Sequence, residues 1–324
     1  MATSTAGQKG SKVRSDCYIE LTSKRIGGIK LEVKSKVSVM YGENIRATII
    51  EMCKFFELKH ISILVEDYGA LPSTLMARFE LAVKRLYPKT TKEYLPDFSK
   101  KNKYSTTKNR LRRSRLYLPG NEPKFYPNAG LHKPDGIILD LEDSVTPTEK
   151  DAAQLVVRNT LRSIDFYGAE RMVRINQLPK GIEDLKYIVP HNVHVILIPK
   201  VESEEQIKEV DAEIQKLKKE FKVRKDIYLM PIIESALGVV NIYKIATASK
   251  NNCALAIGLE DYTADIGTQR TNEGRESFYA RAALVNAAKA AGIQAIDTVF
   301  SDVNDMEGLR ESVLEAKGLG FEGK

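Results

Sequence analysis

Glu142, Asp143, Arg174, Lys200, Glu234, Glu260, Asp261 and Asp302 each stand at or just after the end of an apolar, β-branched run. Gathered on one face, they would present carboxylates beside a guanidinium and an ammonium, a set suited to a divalent cation and an acidic substrate. Glu234 and Asp261 close neighbouring runs, and two carboxylates brought together repel unless a proton or a cation intervenes. Magnesium is the natural cation, being hard and usually held by one or two carboxylates with substrate and water oxygens. The alternative is that one of the two caps a helix or meets a lysine. Arg174 offers a planar fork of donors to a substrate carboxylate, or an internal ion pair to Glu142 or Asp143. Those two acids point to opposite faces of a strand, so one of them faces the site, to orient water or move a proton. Lys200 suits charge neutralisation, a Schiff base or an ordinary ion pair. The histidines, His60, His132, His191 and His194, show no ligand spacing, and no G-x-S-x-G or glycine-rich nucleotide fingerprint occurs.

Seven segments must position these groups: RSRLYLPGN, DGIILDLED, RMVRINQ, HVILIPK, IYLMPIIES, ALAIGLED and AIDTVFSD. Each is followed by a stretch that reads as helix, clearest at 148–163, 203–221, 236–249, 273–291 and 306–318. Strand and helix alternating at this tempo predict an α/β fold with a parallel sheet, and the number of repeats predicts a TIM (β/α)8-type barrel. Seven strands are read where a closed barrel has eight, so the last is expected to be lacking. Ahead of the barrel stands a small α+β domain. Its strands are CYIEL, IKLEV and ISILVED, and its helices carry the stripes Ile45, Ile49, Met52, Cys53, Phe56 and Leu75, Phe79, Ala82, Val83, Leu86.

The domain reading is 1–87 for the small domain, 88–112 for a polar, cationic linker and 113–324 for the barrel. The net charge of +7 collects around Lys100, Lys101, Lys103, Lys108, Arg110, Arg112, Arg113 and Arg115, and self-repulsion predicts an extended tether. No aromatic-interleaved basic face accompanies that run, which argues against nucleic acid as a partner. Cys17, Cys53 and Cys253 form neither a C-x-x-C pair nor a Cys/His cluster, so a disulfide framework and a structural zinc site are both disfavoured. With no signal-like leader and no apolar run of about 20 residues, a membrane span is not expected and the cytoplasm is the default.

The strings RSRLYLPGNEPKF, GIILDLEDSVTPTEKDAA, MVRINQL, ILIPKVES, PIIESALGV, AIGLEDYTADIG and AIDTVFSDVNDMEGL closely resemble the citrate lyase beta subunit family, Mg²⁺-dependent aldolases that cleave acyl thioesters. The resemblance implies a barrel performing reversible Claisen-type cleavage. It also implies that Arg174 binds substrate, that Glu234 binds Mg²⁺ and touches substrate, and that Asp261 is the second metal ligand. Glu142 and Asp143 stay as candidates for proton transfer. GENIRATIIEM and ILVEDYGALPSTLMARFELAVKR resemble the citrate lyase gamma family, acyl carriers with a covalent CoA-like prosthetic group on a serine. That family reads Ser-Ser-Asp or Ser-Gly-Asp where this chain reads Arg14-Ser15-Asp16, which leaves Ser15 as the nearest attachment point. The implied partners are an acyl thioester, an oxaloacetate-like acid, and either copies of the chain or a citrate lyase alpha-like subunit. The reading is a citryl-thioester lyase. Its alternatives are a malyl-CoA or citramalyl-CoA type lyase with a degenerate carrier domain, and a non-catalytic subunit of a larger complex.

Overall fold

A computed structural model describes residues 1–271, 273–302 and 304–324, which cluster into two compact units. The first comprises residues 1–103, 118–129 and 144–165. Its sheet joins β1 (Thr3–Gly7), β2 (Cys17–Ser23), β3 (Ile29–Ser35) and β4 (Ile61–Asp67) in the order β1-β2-β4-β3. The alternation of CYIELTS buries Cys17, Ile19 and Leu21, and the register sets Ile19 against Val65 and Leu21 against Ile63 on the same buried face. Helices α1 (Ser38–Phe55) and α2 (Pro72–Leu86) bury the apolar stripes that the sequence showed, apart from Leu86, which is half-buried. Strand β1 was not expected. Its residues are small and hydroxylic, and it is held by antiparallel pairing to β2, with the Thr3 and Thr22 hydroxyls 3.1 Å apart.

Two buried ion pairs tie this unit together. Arg78 on α2 grips Asp16 through Nε and Nη2 at 3.0 and 2.8 Å. Arg158, on α4 (Lys150–Ser163), grips Glu80 of α2 through both terminal nitrogens at 2.9 and 2.8 Å, with both side chains fully buried. Residues expected to form an extended tether instead pack. The Ser99 amide donates to the Arg162 carbonyl, Arg162 donates to the Pro96 carbonyl, and Asn102 is buried against the end of α4. The charge of this segment is offset by partners far away in sequence, which a reading of local composition does not see.

The second unit comprises residues 104–117, 130–143 and 166–324. All seven anticipated strands form: β5 (Arg115–Pro119), β6 (Gly136–Asp140), β7 (Glu170–Arg174), β8 (Val195–Ile198), β9 (Tyr228–Ile233), β10 (Ala254–Ile257) and β11 (Gln294–Ile296). They lie in sequence order in one sheet whose recorded pairings are parallel. The helices are α3 (Tyr126–Ala129), α4, α5 (Gly181–Ile188), α6 (Glu204–Glu220), α7 (Ala236–Val240), α8 (Ile242–Thr247), α9 (Leu259–Asp265), α10 (Arg275–Ala290) and α11 (Met306–Leu319), of which α3 and α4 belong to the first unit. A Ser203/Gln206 capping box starts α6. The helix expected over 236–249 breaks at Asn241 into α7 and α8.

One face of the sheet is lined by Ile138, Met172, Val195, Leu197, Met230, Ile232, Ala254, Ala256 and Ile296. Alternation then leaves Ile137, Leu139, Val173, Ile196 and Leu229 for the opposite face, and these are buried too, as a parallel sheet covered on both sides requires. The sheet curls until its two edges meet on residues 322–324. The Glu322 amide donates to the Ala295 carbonyl, the Gly323 carbonyl accepts from Asp297, and the Lys324 amide donates to the Arg113 carbonyl at 3.0 Å. The string read as an end without its strand thus bonds to both edges of the seven-stranded sheet. Among the described residues no helix is long and apolar enough to cross a membrane.

Behind the strand starts, Arg112 is fully buried, bound to Glu170 through Nε and Nη2 at 2.7 and 2.8 Å, and its Nη1 reaches Gln294 at 2.8 Å. His194 is buried nearby. Its Nδ1 accepts from the Arg171 amide at 3.2 Å, and the Arg171 guanidinium lies against the ring. Burial first, and then the Arg171 charge, push the imidazole down from 6.5 to about 3. Its folded-state value lies below the unfolded one, so between those pH values the unfolded chain binds the extra proton and stability falls as pH falls. The expected slope from this group is about 1.4 kcal/mol per pH unit below about pH 6.5. Denaturant unfolding from pH 7 to 4 checks it: a His194→Gln variant with an unchanged slope would show that His194 is not its source.

Candidate active site

The interior parity of the strands decides which strand-end groups meet. Ile138 points inward, so Asp140 and Glu142 follow it and Asp143 does not; Met172 is followed by Arg174, Ile232 by Glu234 and Ala256 by Gly258. Arg174 donates to both oxygens of Asp140 at 2.7 and 2.8 Å, and its Nη1 lies 2.9 Å from Glu142 Oε2. Its guanidinium also stands over the Tyr117 ring at 5.4 Å. Asp143 is only a distant partner, 3.9 Å away and half exposed. Burial opposes the charge on Arg174, but pairing with Asp140 outweighs it and the group is held well above its ordinary value.

Lys200 follows β8 in the left-handed region, with φ +51°, which an L-residue adopts only when its surroundings hold it there. In that conformation its amide donates to Glu234 Oε2 at 2.9 Å. Its ammonium lies 3.3 Å from Glu142, 3.7 Å from Asp143 and 3.3 Å from Asp261. Burial lowers the affinity of Lys200 for its proton, but these three carboxylates raise it further, and the net shift is upward. Glu234 is pushed up to about 7, chiefly by burial, with Glu142 and Asp261 adding to it against the Lys200 amide and Arg174. Burial likewise raises Glu142, against Arg174 and Lys200.

Glu234, Asp261 and Lys200 line one cavity of about 290 Å³, with Gln177, Glu202 and Asp265. Asp261 is corrected in position: it lies in the first turn of α9 rather than on a strand, because β10 stops at Ile257 and Gly258 starts the turn. Among the described residues, no three His, Cys, Asp or Glu side chains converge into a complete metal cage. The donor set instead has the character of a two-carboxylate site, with an ammonium already seated among the acids. Glu260 turns away to Arg270, and Asp302 lines a groove beside α11. Ser15 belongs to the first unit, in the turn before β2 with φ +53°.

Asp140 is a site residue that the sequence reading missed. The string DLED offers several acids, and the counting that selects Asp140 as the inward partner of Arg174 needs the strand parity. Gly258 was missed as well. Gly258 follows Ile257, which pairs with Ile233, and a Cβ at Gly258 would stand 2.3 Å from Glu234 Oε1. Gly258→Ala is therefore expected to push the Glu234 carboxylate aside. The backbone at Gly258 has φ −113°, which alanine adopts freely, so the fold should persist while catalytic efficiency drops about 10²-fold. Thermal melting and steady-state kinetics measured together check this.

Residues 113–324 match the family model described as HpcH/HpaI aldolase/citrate lyase, and residues 2–86 match one described as malonate decarboxylase delta subunit. The citrate lyase subunit beta of Leuconostoc mesenteroides subsp. cremoris is 42% identical over 66% of this chain and 72% of its own length. The mitochondrial citramalyl-CoA lyase of Mus musculus is 33% identical over 69% of this chain and 71% of its own. A solved citrate lyase beta subunit from M. tuberculosis, complexed with oxaloacetate and magnesium, superimposes with a TM-score of 0.56 at 28% identity, covering 67% of this chain and 92% of that one.

Proposed function

The chain belongs to the HpcH/HpaI aldolase/citrate lyase family through residues 113–324, and from that membership we propose that it cleaves a citryl thioester into oxaloacetate and an acetyl thioester. The observation that carries this reading is the convergence of Glu234, Asp261, Glu142 and the Asp140-braced Arg174 at the strand ends of one sheet. We assign residues 113–324 as a (β/α)8-type barrel. In support, residues 322–324 bond to both edges of the sheet. Residues 1–87 are assigned as the carrier-like domain and 88–112 as its connection.

The chemistry of the donor set fits magnesium. Burial first, and then the neighbouring acids, push the Glu234 carboxyl up to about 7, and the Lys200 ammonium lies within 3.3 Å of both Asp261 and Glu142, so a cation is already accommodated beside these acids. Glu234 and Asp261 are the residues that would hold Mg²⁺, and bound there it would supply a Lewis acid for the oxygens of a hydroxy or keto acid. Arg174 would grip a substrate carboxylate through Nη1, which lies 2.9 Å from Glu142 Oε2 in the free site, while Nε and Nη2 stay on Asp140. Glu142, buried between Arg174 and Lys200, takes the hydroxyl proton, whereas the half-exposed Asp143 is the weaker choice. As the carbon–carbon bond breaks, its electron pair passes to the thioester as an enolate and the hydroxyl carbon becomes the ketone of oxaloacetate. The proton on Glu142 then returns to the methylene carbon, completing the acetyl thioester.

The carrier-like domain would bear the acyl group on a CoA-like prosthetic group at Ser15, the match over 2–86 being what supports a carrier; tethering would raise the effective concentration of the thioester. Further copies of the chain or an alpha-like subunit are the assembly partners we assign. The three buried, free cysteines suit a reducing cytoplasm. A citramalyl-CoA or malyl-CoA type lyase with a degenerate carrier is the second reading, favoured by Arg14-Ser15-Asp16 in place of the carrier motif and by the murine relative. Steady-state kinetics with Mg²⁺ on citryl-CoA, malyl-CoA and citramalyl-CoA separate the two. The highest kcat/KM is expected on citryl-CoA. A preference for either rival favours the second reading, and binding without cleavage of all three would favour a non-catalytic subunit.

A further inference from the structure

We propose that Glu202 and Asp265 are positioning residues for the loop that carries Glu234, an inference that rests on Glu234 and Asp261 being the magnesium ligands. Those two acids come from different elements, Glu234 from the end of β9 and Asp261 from the first turn of α9. The pairing of β9 with β10 ends at Ile233 and Ile257, short of both acids. Beyond it, the two residues after Glu234 make the link. The Ala236 amide donates to Asp265 Oδ2 at 2.8 Å, and the Ser235 hydroxyl donates to Glu202 Oε1 at 2.7 Å. Asp265 stands four residues beyond Asp261, on the same face of α9, so its bond to Ala236 ties the helix of one proposed ligand to the chain of the other.

Both contacts meet a need of the backbone. The amides that open α7 have no carbonyl of their own helix to reach. Ser235 Oγ accepts from the Gly238 amide at 3.1 Å, as an N-cap does, and Asp265 takes the Ala236 amide from outside. Glu202 is itself held at three points. Its amide donates to Gln206 Oε1 at 2.7 Å, its carbonyl accepts from Asn241 Nδ2 at 2.9 Å, and its carboxylate holds Ser235. Gln206 belongs to α6 and Asn241 closes α7, so the Ser235 hydroxyl is anchored to the segment after β8. That segment also carries Lys200, whose amide meets Glu234 Oε2. The chain from Glu234 to Ala236 is thus fixed from both sides. Glu202 and Asp265 line the same cavity as Glu234 and Asp261, and composition alone would count them as further ligands. Their bonds assign a different part: one oxygen of each is committed to the loop, and a cation site tolerates little displacement of its donors.

The test separates an acceptor from a charge. Asparagine at 265 and glutamine at 202 keep an oxygen for the loop, whereas alanine removes it. In calorimetric titration with MgCl₂, Asp265→Ala and Glu202→Ala are each expected to bind about tenfold or more weakly than the unaltered chain, and Asp265→Asn and Glu202→Gln within about threefold of it. Ser235→Ala/Glu202→Ala should bind no more weakly than Ser235→Ala alone, because Glu202 acts through that hydroxyl. Values of kcat/KM on citryl-CoA are expected to follow the same order, with melting curves confirming that each variant is folded. If the asparagine and glutamine variants lose as much as the alanine ones, the two acids act through charge, as ligands do, and the proposal fails. Unchanged affinity in both alanine variants overturns it as well. A failure of the metal assignment shows separately, since Glu234→Gln and Asp261→Asn would then bind Mg²⁺ no differently from the unaltered chain.

Discussion

Glu234→Gln is expected to lower kcat/KM about 10³-fold or more, and Asp261→Asn by a similar factor, because each removes a charge on which the proposed cation depends. The glutamine keeps the shape of the side chain and can still accept from the Lys200 amide, so the deficit reports charge rather than cavity formation. Stability should move the other way. Burial and two neighbouring acids hold Glu234 at about 7 in the fold, above its unfolded value, so above pH 7 the ionised form opposes folding by on the order of 3 kcal/mol. A neutral amide escapes that cost, and the variant should melt at or above the temperature of the unaltered chain at pH 8. Kinetics across Mg²⁺ concentrations, with melting curves alongside, check both halves. Retained turnover in either variant would remove that residue from the metal site.

Arg112→Ala is expected to destabilise the chain by about 3–5 kcal/mol, since it leaves Glu170 fully buried without its guanidinium. Among the described residues, the Thr106 hydroxyl would be the remaining donor to that carboxylate. Removing the second partner as well, in Arg112→Ala/Glu170→Leu, should recover part of the loss. Denaturant unfolding of the single and double variants measures the coupling, and a single-variant loss below about 1 kcal/mol would show that the pair contributes little.

Strands β6, β8, β9 and β10 were legible because each is a short apolar run, buried on both faces, with polar residues at or just beyond its end. Arg174, Glu234, Asp261 and the pair Glu142 and Asp143 were legible as candidates for the same reason, although their roles in the reaction are proposals. What composition could not show was which groups find distant partners. Arg112 reads as one more charge in a basic run, yet it meets Glu170 58 residues away. Asp140 reads as the first of three acids, and only strand parity turns it toward Arg174. Gly258 has no side chain to read; its significance is the room that it leaves Glu234.

The packing of α2 on α4 bears on how this chain could have been assembled, and on how it could be taken apart. Scission of the peptide at residue 112 would not return a free carrier and an intact enzyme. The downstream fragment would keep α4 but lose Glu80, leaving the Arg158 guanidinium without its carboxylate. Each half on its own would hold one member of the Glu80–Arg158 pair without the other.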